Sequence, residues 1–132
     1  MKITQILIDI LTEGKKLPKG GDCFSSAYDF MMSEGLKNKD LKLVHGMVAG
    51  QGKLYGYRFS HAWCEDHDYV YDNANGQKGK IMKMLYYGIG DINPNDCKYY
   101  TYDNILRHSS EHLHKGPWEM ENKHEKQKWF RG

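Results

Sequence analysis

Residues 54–72 read Leu54-Tyr55-Gly56-Tyr57-Arg58-Phe59-Ser60-His61-Ala62-Trp63-Cys64-Glu65-Asp66-His67-Asp68-Tyr69-Val70-Tyr71-Asp72. Tyr55, Tyr57, Phe59, His61 and Trp63 occupy alternate positions, the period of a strand whose two faces differ. Residues 69–73 are again rich in strand formers. The short Asp66-His67 link between them reads as a hairpin loop. In that register Glu65 pairs with Asp68, Trp63 with Val70 and His61 with Asp72. Directly opposed side chains share a face, with Cβ atoms about 5 Å apart. A four-residue loop, 65–68, gives the same register. A three-residue loop puts Asn73 opposite His61, because a one-residue slip turns the strand over. The hairpin thus predicts an imidazole and a carboxylate side by side.

Upstream, the period is helical. Ile3, Ile6, Leu7, Ile10 and Leu11 predict an amphipathic helix over 3–13. A loop containing Gly20-Gly21 follows. Asp22 is a good N-cap for a second helix, whose apolar stripe is Phe24, Ala27, Tyr28, Met31 and Met32. Gly35 stands where a glycine stop belongs. Residues 41–48 then alternate as a strand, and 50–53 form a turn. Downstream, residues 81–87 fit a short helix or a strand equally well. Residues 88–96 read as a loop and 97–102 as a strand. Asp103 is expected to cap a last helix, which runs to about residue 114 before Gly116-Pro117. This order predicts an α+β fold with N-terminal helices packed on a small antiparallel sheet. Residues 1–118 are expected to form a single domain, and residues 119–132 a polar tail.

Composition narrows the function. The chain has 132 residues, a size typical of one domain. Its net charge is +2, from 19 basic and 17 acidic residues, which argues against a nucleic-acid binder driven by a strong positive field. No apolar run approaches the roughly 20 residues that span a bilayer. Cys23, Cys64 and Cys97 form neither a disulfide framework nor a C-x-x-C zinc motif. The N-terminal segment lacks the pattern of a signal peptide. A reduced, cytoplasmic protein is expected, in which a free thiol can serve as nucleophile.

Cys23 lies in the first turn of a predicted helix, where the helix dipole favours a thiolate, as does a nearby imidazolium. A nucleophile needs a base, and the base needs an orienting group. Cys23, His61 and Asp72 supply these in that order. Backbone N–H groups at the start of the helix offer an oxyanion site.

The stretch Gly21-Asp22-Cys23 opening a helix, then Val44-His45-Gly46, His61-Ala62-Trp63-Cys64-Glu65 and Val70-Tyr71-Asp72, resembles the transglutaminase-like branch of the papain-like cysteine proteins. The resemblance covers about residues 20–75. It implies Cys23 as nucleophile, His61 as general base and Asp72 as orienter. The implied activity is peptide or amide hydrolysis, deamidation or acyl transfer on a peptide or protein amide, with no metal and no organic cofactor. The chain departs from papain proper in having no Gln a few residues before Cys23, so no side-chain oxyanion donor is assigned. The alternative is an inactive binding module that holds a peptide or another protein in the same cleft.

Plainer readings apply elsewhere. Cys64 and Cys97 are expected in the core. Trp63 is expected to pack in the core or wall the cleft. His108 and His112 share a helix face near His114, but H-E-x-x-H is absent, so a solvated face is favoured over a metal-dependent hydrolase. The glycine stretches match neither a Walker loop nor a dinucleotide fingerprint.

Overall fold

A computed structural model of the chain describes residues 22–72 and 79–127. The helix expected over 3–13, the Gly20-Gly21 loop and the turn at 73–76 lie outside those residues. Helix α1 spans Asp22–Glu34 and is followed by strand β1, Lys42–Ala49. A 3-10 turn, Gly52–Leu54, leads into β2, Tyr57–Glu65. Strands β3, Tyr69–Asp72, and β4, Gly79–Met82, precede helix α2, Lys83–Ile89. Strand β5 is Lys98–Tyr100, helix α3 is Tyr102–His112 and strand β6 is His124–Lys126.

The fold is α+β with an antiparallel sheet, in the order β4-β3-β2-β1-β5. Two apolar layers cover its faces. One contains Phe24, Ala27 and Met31 of α1, Leu43, Ala62 and Cys64 of the sheet, and Ile105 of α3. The other contains Val44, Val48, Phe59, Trp63 and Val70, with Tyr86 of α2. The alternation Leu43/Val44 and Ala62/Trp63 is the period-two pattern of strands buried on both sides.

The outer edge of β2 is shared. Strand β3 pairs with it at Cys64 and Glu65, and β6 pairs at Tyr57, Arg58 and Phe59. His61 lies in the interval between them. Strand β6 falls inside the polar segment after 119, and Ser60 fastens that segment further, donating from its backbone N–H to Lys123 O at 2.8 Å.

Two local expectations are corrected and one open alternative is resolved. The hairpin register differs by two residues, with Glu65 opposite Val70 and Cys64 opposite Tyr71. The cause is Asp66, whose carboxylate accepts from the N–H groups of Asp68 and Tyr69 and builds a wider turn. A slip of two keeps every side chain on its expected face, so Asp72 meets His61 diagonally. Helix α3 is capped by Thr101 rather than Asp103. Thr101 and Asn104 exchange side-chain-to-backbone hydrogen bonds in a capping box. The ambiguous stretch 81–87 is both things in turn, the end of β4 and then α2. Gly35 ends α1 through close approach: a Cβ there would stand 2.6 Å from Met31 O and 2.8 Å from the Tyr102 ring.

Candidate active site

Four elements converge on one buried cluster around His61 and Asp72. Cys23 is the second residue of α1, close enough to His61 for the two side chains to act on each other electrostatically. His61, on β2, places Nε2 at 2.7 Å from Asp72 Oδ2, on β3. Tyr86, on α2, donates its hydroxyl to the same Asp72 oxygen at 2.6 Å. Nε2 is committed to the carboxylate, and Nδ1 is the ring's other nitrogen. The ring is fixed from the sides by Phe59, edge-on at 5.8 Å, and Trp63, stacked at 6.2 Å.

The group is enclosed. Cys23 is 2% exposed, His61 0% and Asp72 1%. Burial alone pushes the His61 proton affinity down, but the Asp72 carboxylate and the Cys23 thiol act the other way. Together they hold the ring well above its usual 6.5. Tyr86 keeps its phenolic proton, since burial and the Asp72 carboxylate both push its titration well above the usual range. It therefore serves Asp72 as a donor throughout the physiological range.

All three residues selected from the sequence, Cys23, His61 and Asp72, are brought together. Tyr86 is not among them. Its signal is indirect: a buried tyrosine needs a partner for its hydroxyl, and a buried carboxylate needs donors beyond one imidazole. Pairing the two requires knowing that α2 lies over the sheet.

The other cysteines are differently placed. Cys64 donates its thiol to Ala27 O at 3.3 Å, and burial raises its proton affinity far above the usual range. Burial likewise pushes Cys97 up to about 11. Trp63 is a core residue whose indole N–H donates to Glu65 Oε1 at 3.0 Å. Glu65 also accepts from Tyr87 OH at 2.5 Å and pairs with Lys83 Nζ at 2.9 Å. Adjacent tyrosines of α2 thus anchor the helix to two buried carboxylates, Tyr86 to Asp72 and Tyr87 to Glu65. A cavity of about 620 Å³ adjoins the second anchor, lined by Glu65, Tyr69, Lys83, Met84, Tyr87 and Tyr99 among others. Cys23, His61 and Asp72 do not line it.

His45 is buried on the α1 face, edge-on to Phe24 at 4.8 Å and to Tyr100 at 5.0 Å. Burial, aided by His108, lowers its proton affinity to about 3, so the ring is neutral at physiological pH. No helix among the described residues is long and apolar enough to cross a membrane. Comparison with family models, with curated proteins and with solved structures gives no match.

Proposed function

We propose that the chain is a thiol-dependent acyl-transfer enzyme of transglutaminase-like type. The carrying observation is a buried imidazole held by the Asp72 carboxylate at 2.7 Å, with the Cys23 thiol close enough to act on it electrostatically. A cysteine at the start of a helix, packed on an antiparallel sheet whose neighbouring strands hold the histidine and the aspartate, supports that reading of the fold. In this reaction the Cys23 thiol first gives its proton to His61 Nδ1, forming a thiolate–imidazolium pair, and Sγ then attacks the carbonyl carbon of a peptide or protein amide. His61 gives that proton to the departing amine as the C–N bond breaks, leaving a thioester on Cys23. Water or a second amine then attacks the thioester, His61 takes the proton of the attacker, and that proton returns to the thiolate as Sγ leaves. Asp72 holds the ring so that Nε2 carries its hydrogen and Nδ1 stays available. The first backbone N–H groups of α1 are the donors closest in kind to an oxyanion site. Three unpaired thiols support a reducing, cytoplasmic setting.

A second reading, a binding module that retains the triad without turnover, draws support from the enclosure of all three side chains. An electrophilic acyl probe separates the two. Incubating the full chain with a peptide thioester and measuring intact mass should give one acyl group, absent in Cys23→Ala and strongly reduced in His61→Ala. Absence of acylation in the unaltered chain across a panel of peptide esters and thioesters selects the binding module.

A further inference from the structure

The last turn of α3 reads His108-Ser109-Ser110-Glu111-His112. Positions i, i+3 and i+4 share one helix face. Ligand atoms of His108, Glu111 and His112 all lie within 4.8 Å of one another. His108 is the inner member of the three. Its Nδ1 is buried and has no hydrogen-bond partner among the described residues, and its Nε2 stands 3.7 Å from Glu119 Oε1. The ring is held in place: Trp118 stacks on it at 5.2 Å with planes 13° apart, and Tyr100 meets it edge-on at 5.2 Å. The His112 ring lies parallel to it at 5.9 Å. A buried ring nitrogen of this kind takes either a water or an ion as its partner, and the clustered donors of Glu111 and His112 favour an ion here.

We propose that His108, Glu111 and His112 form a binding site for a divalent transition-metal ion of the zinc class. Two imidazoles and a carboxylate are a donor set that suits Zn²⁺, Co²⁺ or Ni²⁺, whereas Mg²⁺ and Ca²⁺ want oxygen throughout. Three protein ligands leave a fourth position for water. Glu119, 3.7 Å from His108 Nε2, is the nearby carboxylate that closes to hydrogen-bond distance when His108 ligates through its other nitrogen. The nearby Lys115 ammonium is engaged elsewhere, at 2.8 Å from Asp29 Oδ1, so it does not oppose a cation at the site. The ligands come from one helix and include none of Cys23, His61 and Asp72. The ion therefore fastens the end of α3, beside the segment that carries Trp118 and Glu119, and is not part of the acyl chemistry.

The test is titration of Zn²⁺ into the full-length Cys23→Ser chain, which removes the one triad thiol that competes for soft metals. Calorimetry should show one ion per chain, and Co²⁺ should give the visible bands of a nitrogen- and oxygen-ligated ion. His112 is exposed, so His112→Ala leaves the fold intact and should weaken uptake at least about a hundredfold, and Glu119→Gln about tenfold. His114→Ala should leave uptake unchanged, and excess Mg²⁺ should not compete. No uptake in the Cys23→Ser chain, or equal affinity in His112→Ala, overturns the site. Uptake that depends on His114 and not on His112 overturns it as well.

Discussion

Tyr86 and His61 bind the same oxygen of Asp72. Tyr86 OH stands at 2.6 Å and His61 Nε2 at 2.7 Å from Oδ2. The tyrosine spreads the carboxylate's charge, and the imidazole uses what remains. Removing the hydroxyl in Tyr86→Phe leaves a buried carboxylate with one donor fewer, at a cost of about 1–3 kcal/mol. The same change concentrates negative charge on the imidazolium, so His61 should titrate at higher pH than in the unaltered chain. NMR of the His61 ring protons against pH checks the direction. A downward or absent shift means that Tyr86 does not act through Asp72.

The three thiols should separate by reactivity. Burial pushes Cys97 up to about 11 and Cys64 higher still, so both are protonated near neutral pH. Cys23 alone has an imidazole beside it. A small neutral alkylating reagent at about pH 7 should modify Cys23 first in the folded chain, and His61→Ala should remove that lead. Peptide mapping by mass spectrometry reads all three sites in one experiment. Equal rates at the three cysteines would contradict the assignment of Cys23 as nucleophile.

The Asp72–His61 pair also sets a pH dependence of stability. Burial lowers the ring's proton affinity, Asp72 and Cys23 raise it, and the folded value ends well above 6.5. A group whose folded value is raised contributes stability that is full below the unfolded value and lost as pH climbs through the folded one. His61 therefore favours folding most below about 6.5 and progressively less above it. Asp72→Asn removes the chief upward influence, burial then keeps the ring neutral, and this alkaline loss should vanish. Urea unfolding of both chains at about pH 6 and about pH 9 measures it. An unchanged slope in Asp72→Asn would falsify the coupling.

The site is more legible in the sequence than the fold around it. Cys23, His61 and Asp72 each follow from a local pattern: a thiol opening a helix, and two strands whose parity delivers side chains to one face. Parity survives a register shift of two, which is why His61 and Asp72 meet although Asp66 widens the turn beyond the expected loop. Long-range packing is not legible. Nothing local tells that α2 covers the sheet face opposite α1, or that residues 124–126 return to pair with β2. The cap of α3 is ambiguous because Thr101, Asp103 and Asn104 are all capping types, and only the reciprocal bonds of Thr101 with Asn104 decide among them.

Gly116 offers a test of packing that does not touch the triad. Its φ is +112°, a conformation that L side chains rarely adopt, and a Cβ there would stand 2.8 Å from His45 Cε1 and 3.2 Å from Nε2. His45 has little room to retreat, with Phe24 at 4.8 Å, Tyr100 at 5.0 Å and Trp118 at 5.2 Å around its ring. Strain and overpacking therefore add, and Gly116→Ala should destabilise the chain by about 1–3 kcal/mol or more. Gly88 is the matched control. It lies within α2, and a Cβ there would meet nothing within 4 Å, so Gly88→Ala faces no obstacle. The restricted unfolded chain and the better helix former should then stabilise by up to about 1 kcal/mol. Urea unfolding of the two variants should move their midpoints in opposite directions. A Gly116→Ala chain as stable as the unaltered one would show that the His45 pocket is looser than these distances require.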